Sequence, residues 1–197
     1  MNICKKAALA LAMLLIIAAL LACAPQIPTA PVLEKPAIDE EDFPMELTFS
    51  SNVFWSTTIT LKQDGSFTGI YKDVEAEDAD TDYPGGTVYT CEFSGSFSQM
   101  TPNINGTWSL TLGQVKCKKE KGEKWIEDSV RYVSDIPFGL EEGSGEFLLY
   151  PAGTPTEDLS IDLLQWMQYE GDELPEELPG NCLYNQKLKY AFFTEAA

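Results

Sequence analysis

From Met45 onward, apolar and polar residues alternate with a period of two, which places successive side chains on opposite faces of a strand. Trp55, Thr57, Ile59 and Leu61 share one face, Asp64-Gly65 supplies a hairpin turn, and Phe67 and Tyr71 share a face beyond it. The pattern predicts a hairpin of strands 53–62 and 66–72. The clearest strand is 87–97, with Tyr89, Cys91, Phe93 and Phe97 on one face and Gly95 among them. A turn over 100–105 then returns the chain as a strand over 107–118, with Trp108, Leu110 and Leu112 aligned. A turn centred near Pro102 sets Cys91 opposite Leu112 or Gly113. A Cys91–Cys117 bridge, which needs Cα atoms within about 7 Å, would require a shifted register or a bulge. Further strands are predicted at 125–133, where the alternation is imperfect, at 146–150 and over 181–193.

One stretch changes period. Thr154-Pro155-Thr156-Glu157 has the form of a capping box with proline at the first helical position. Leu159, Leu163, Trp166 and Met167 then recur at helical spacing, and Gly171 ends the run. The apolar face of this helix is expected to close the sheet or cover its open end. The segments 73–86, 118–124, 135–145 and 172–180 read as connections, being rich in charge, glycine or proline. The fold class is therefore mainly β: an antiparallel β-sandwich or a lipocalin-like barrel with one packed helix in the C-terminal half.

The N-terminus is built differently. Lys5 and Lys6 precede an unbroken apolar run from Ala7 to Leu21, shorter than the roughly 20 residues of a bilayer span. Residues 24–42 carry Pro25, Pro28, Pro31 and Pro36 and then four consecutive acids, the composition of an extended, solvated tether. The chain thus divides into an export signal (1–22), a tether (23–44) and a single β-rich domain (45–197).

The 197 residues include 31 acidic and 13 basic side chains, a net charge of −18. So negative a surface repels nucleic acid and anionic lipid head groups, which makes both poor partners and favours solubility, metal cations or basic partners. There is no histidine. That removes Ser-His and Cys-His catalytic pairs and makes a zinc site of the usual Cys and His composition improbable. No Gly-x-Ser-x-Gly, P-loop or Gly-x-Gly-x-x-Gly sequence occurs. A hydrolase using paired carboxylates needs no histidine; Glu141-Glu142 and Glu176-Glu177 are such pairs, but their place in connections favours solvated side chains. Asp78, Asp80 and Asp82 alternate as ligands do at the start of a calcium loop, and calcium is the one cofactor the sequence suggests. Tyr83 and Tyr89 stand where an EF-hand needs Gly and Glu, so a mobile acidic loop is the stronger reading. Trp55, Trp108 and Trp166 are expected in the core, and Trp125, beside the charged 118–124 loop, near the surface. Cys91, Cys117 and Cys182 are expected as buried thiols, or as one disulfide and one thiol.

Leu20-Leu21-Ala22-Cys23 resembles the lipobox of bacterial lipoproteins: Leu at −3, a small residue at −1 and Cys at +1. The resemblance implies that Cys23 is lipidated and becomes the mature N-terminus. Its acyl chains would hold the protein at the membrane at roughly 0.8 kcal/mol per buried methylene. The stretches 64–71, 83–95, 130–133 and 138–140 resemble a group of exported proteins of Gram-positive gut bacteria with no established activity. That resemblance puts the anchor on the outer leaflet of the cell membrane. Gly106-Thr107-Trp108 is similar to the Gly-x-Trp of lipocalin-like barrels, although there the motif opens the barrel. Together these features predict a non-catalytic, membrane-anchored binding module for a small apolar ligand or a protein partner, sited in a barrel interior or at a loop-rimmed edge. The alternatives are an envelope hydrolase and a structural or adhesive surface module.

Overall fold

The computed structural model describes residues 36–51, 54–167, 169 and 173–195. The expected export signal, Cys23, residues 24–35 of the expected tether, Val53 and Gly171 lie outside the described residues. Ten strands follow in order: β1 (Met45–Ser50), β2 (Trp55–Leu61), β3 (Ser66–Glu75), β4 (Thr87–Pro102), β5 (Trp108–Cys117), β6 (Lys124–Glu127), β7 (Val130–Ser134), β8 (Glu146–Tyr150), β9 (Cys182–Asn185) and β10 (Ala191–Phe193). Eight of them close into an antiparallel barrel in the order β1-β2-β3-β4-β5-β8-β9-β10, with β10 returning to β1. Barrel neighbours are successive along the chain except that β6 and β7 leave the wall between β5 and β8. Closure removes the free edges that a two-sheet sandwich would keep.

The period-two pattern supplies the lining. Leu47, Ile59, Phe67, Phe97, Phe147 and Phe192 form part of one cluster of buried side chains. Glycine makes that density attainable. Phe67 pairs across the wall with Gly95 and Phe93 with Gly69. A Cβ on Gly95 would come within 2.4 Å of the Phe67 ring, and one on Gly69 within 2.5 Å of the Phe93 ring. Each ring therefore occupies the volume left by the missing side chain opposite.

One barrel end is sealed by aromatics. Phe49 lies 4.7 Å from Trp55, 4.8 Å from Trp166 and 5.0 Å from Tyr190, measured between ring centroids. Phe138, from the connection after β7, packs against Phe49, Trp55 and Tyr190. Its backbone carbonyl accepts a 2.7 Å hydrogen bond from the buried Thr57 hydroxyl. Gly139 has a φ of +91°, and a Cβ there would meet Phe192 and Phe49 at 2.9 Å, so the connection crosses the barrel end only as glycine.

Several local expectations are corrected. The β4–β5 turn is Asn103 to Gly106, closed by Gly106 N donating to Asn103 O, and Pro102 ends β4 rather than centring the turn. The ladder consequently pairs Phe93 with Cys117 and Gly95 with Val115, and two irregularities flank Phe97. Cys91 thus does not face Leu112 or Gly113. Residues 125–133 form two short strands, because Asp128 and Ser129 adopt φ values of +49° and +66°, the two positive angles of a tight hairpin turn. The final predicted strand is likewise a hairpin: Asn185 Oδ1 accepts from the backbone N–H groups of Lys187 and Leu188 and turns β9 into β10.

The helix is one turn long, α1 (Ile161–Leu164), preceded by a 3-10 turn at Thr156–Asp158. The predicted capping box does not form. Thr154 and Thr156 hydroxyls donate to the Pro151 and Pro175 carbonyls, and Ser160 caps α1 by accepting from Leu163 N. The apolar face of this segment covers the outside of β9 and β10: Leu159, Leu163, Met167 and Leu178 pack on Cys182, Tyr184 and Ala191. Only Trp166 reaches the barrel end. At the other terminus Ile38 and Phe43 pack on the core.

Candidate functional site

The barrel interior offers no lumen along its middle: Leu47, Ile59, Phe147 and Leu149 are each 0% exposed. The opening lies in the wall. Strand β5 pairs with β8 only from Trp108 to Thr111. Beyond Thr111 the place of β8 is taken by the 135–145 connection, held by Leu112 N donating to Gly145 O at 3.1 Å. Between the free half of β5 and this connection is a cleft of about 600 Å³, a size suited to a small organic ligand.

Its chemistry follows from the register. Val115 and Cys117 pair with the inward-facing Gly95 and Phe93, so they turn toward the core side of the wall. With Leu112, Pro137 and Leu140 they give the cleft an apolar floor. The rim is polar: Gln114, Glu141, Glu142 and Ser144. Ser144 is buried and binds back to Glu141 O through both its hydroxyl and its N–H, which fixes the turn. Lys187 donates to Gly143 O at 2.6 Å and ties the same turn to the β9–β10 hairpin. Glu141 is half-buried, and one of its carboxyl oxygens is shielded from solvent with no hydrogen-bond partner. A buried acceptor without a donor costs about 1–3 kcal/mol. Sequence reasoning placed Glu141 among solvated acids; only the fold of the connection distinguishes it from Glu142, Glu176 and Glu177, which are exposed.

Two other surfaces carry structure. Trp125 stacks on Tyr132 at 5.3 Å, and the Lys119 ammonium sits 4.5 Å from the Trp125 ring centre. This is the basic island of an acidic protein. A shallow groove of about 610 Å³ crosses the outside of β1 to β5, floored by Thr58, Thr60 and Thr68 and edged by the Glu92–Lys118 ion pair. Lys118 holds the Glu92 carboxyl below its usual range.

The three aspartates do not come together. Asp78 forms an ion pair with Arg131, whose other nitrogen donates to the Tyr83 hydroxyl at 2.7 Å and whose guanidinium lies 4.3 Å from the Tyr83 ring centre. Asp80 accepts from Thr81 N, and Asp82 is exposed. Among the described residues no group of three His, Cys, Asp or Glu side chains is arranged to hold a metal ion. The predicted 73–86 connection is shorter, because β3 runs on to Glu75 by pairing with β4, and the remaining 76–86 loop is pinned to β7 through Arg131. Cys91 and Cys117 meet, with Sγ atoms 2.6 Å apart, while Cys182 is fully buried in the second cluster. Trp55, Trp108 and Trp166 pack against the core as expected. Among the described residues no helix is long and apolar enough to cross a membrane.

No protein-family model matches the chain, and neither a curated protein nor a solved structure gives a match.

Proposed function

We propose that the chain is a non-catalytic binding module, held at the extracytoplasmic face of a cell membrane by acyl chains on Cys23. Its ligand is a small molecule with an apolar body and a hydrogen-bond-donating head, bound in the cleft between β5 and the 135–145 connection. The observation that carries the reading is the combination of an apolar floor with the Glu141 side chain among the lining residues of the cleft. The filled barrel interior moves the site from the lumen to the wall. The acidic rim and the net charge of −18 favour a cationic or neutral head over an anionic one. The membrane part of the reading rests on Leu20-Leu21-Ala22-Cys23.

Dansylcadaverine, an apolar fluorophore bearing a primary ammonium, tests the cleft. Saturable fluorescence enhancement is expected, weakened about tenfold in Glu141→Gln, which loses a charge-assisted hydrogen bond. Equal affinity in the wild type and Glu141→Gln contradicts the assignment. Membrane fractionation of Cys23→Ala tests the anchor, and a variant that still sediments with membranes contradicts it.

A further inference from the structure

We propose that Cys91 and Cys117 are a disulfide-exchange site that locks the β4–β5 seam. The two cysteines lie on adjacent strands and face the same side of the wall. Phe93 pairs directly with Cys117, and Cys91 precedes Phe93 by two residues on the same face of β4, so the thiols are diagonal neighbours. Their Sγ atoms are 2.6 Å apart, well inside the separation of two non-bonded sulfurs and about 0.6 Å beyond an S–S bond. Little backbone movement separates the thiol pair from the bridge.

The seam is where a cross-link matters. Near Cys91 strand β4 changes neighbours: its residues 87–90 pair with β7, and β5 takes over only from Phe93. The ladder is irregular on both sides of Phe97. The free half of β5 therefore hangs on a short run of paired residues, and Cys117 is its last residue. A bond there ties the end of β5 to the centre of the wall and closes the chain across 26 positions.

Access fixes the order of events. Cys117 is half-exposed and lines the cleft, whereas Cys91 is buried and burial pushes its thiol pKa up. An incoming disulfide therefore meets Cys117 first. The Cys117 thiolate attacks one sulfur of that disulfide, the S–S bond breaks, and one thiol departs with the proton that Cys117 gave up. Cys91 then attacks Cys117 Sγ, forming the Cys91–Cys117 bond and expelling the second thiol. The protein loses two hydrogens with their electrons, and the incoming disulfide gains both. Cys182, walled off beneath Leu159 and Leu163, takes no part.

The test uses the full-length chain, reduced, freed of reductant and exposed to oxidised glutathione. It is then denatured, alkylated and cut with trypsin without reduction. Cleavage after Lys116 and Lys118 leaves Cys117 in a dipeptide. The expected result is this dipeptide attached to the peptide bearing Cys91, with Cys182 alkylated. Cys91→Ser should stop at a stable glutathione adduct on Cys117. Oxidation should also raise the melting temperature of the wild type, with no change in a Cys91→Ser/Cys117→Ser double variant. Alkylation of both Cys91 and Cys117, or pairing of either with Cys182, overturns the site. A linked protein that melts no higher than the reduced one overturns its role at the seam.

Discussion

The far edge of the Phe67 ring fills the space that Gly95 leaves open on the facing strand, and the edge of the Phe93 ring fills the matching space at Gly69. The two pairs interlock β3 and β4, the longest ladder in the barrel. Adding one methyl group at either glycine forces its ring out of a filled interior. Gly95→Ala and Gly69→Ala are each predicted to destabilise the domain by about 1–3 kcal/mol through overpacking. Urea denaturation measures the loss. Phe67→Leu combined with Gly95→Ala should recover part of it, because the smaller side chain yields the volume the methyl needs.

The aromatic end of the barrel converges on Phe49, which is 1% exposed and contacts five rings. Phe49→Ala is predicted to cost about 3–5 kcal/mol, as truncation of a buried aromatic does. Trp166→Phe should cost much less, since it keeps the packing and gives up one hydrogen bond to the Lys189 carbonyl. Comparison of their thermal melts separates the two contributions.

Arg131 joins the 76–86 loop to β7 through Asp78 and Tyr83. Arg131→Ala is predicted to lower stability by about 1 kcal/mol and to speed limited proteolysis within that loop while the barrel stays intact. With Asp78 engaged by Arg131, excess calcium should leave the melting temperature of the wild type unchanged. A calcium-dependent rise would restore the aspartates as ligands.

Alkaline pH should unfold the domain. Burial, reinforced by Asp73, raises the pKa of Tyr71, and burial alone raises that of Cys182. These groups stay protonated in the folded state after their unfolded counterparts begin to ionise, at about pH 8.5 for a thiol and about 10 for tyrosine. The unfolded state then binds fewer protons, so stability is full below pH 8.5 and falls as pH rises. The urea midpoint should therefore decline from neutral pH to pH 11. The acid side is gentler. The exposed Asp64, held down by its hydrogen bonds to Ser66, and Glu92, held down by Lys118, contribute above their unfolded pKa values and lose that contribution as pH falls.

Strand patterning was legible wherever one face is buried. Residues 146–150 were bounded correctly, Phe67 and Tyr71 share a face as expected, and so do Cys91, Phe93 and Phe97; all five lie in the core cluster. The turns were less legible. Asp128-Ser129 and Lys189 take positive φ without glycine, so nothing in the local sequence announced the β6–β7 and β9–β10 hairpins. The helix was overestimated because its apolar residues match helical spacing, yet they pack on the outside of β9 and β10 from a mostly irregular segment. The cleft could not be read at all. It exists because β8 ends its pairing at Thr111 and a connection takes its place, a tertiary choice that leaves Glu141 indistinguishable from 30 other acids in sequence.

Native mass spectrometry of the mature protein, released intact from the membranes of a bacterium that produces it, tests the binding account most directly. It should be run beside a Val115→Trp variant, whose indole fills the cleft and whose fold is verified by circular dichroism. The account predicts an acylated chain carrying an additional mass that dissociates on denaturation in the wild type and is absent from Val115→Trp. The same bare mass in both proteins, or an additional mass that survives the substitution, would contradict it.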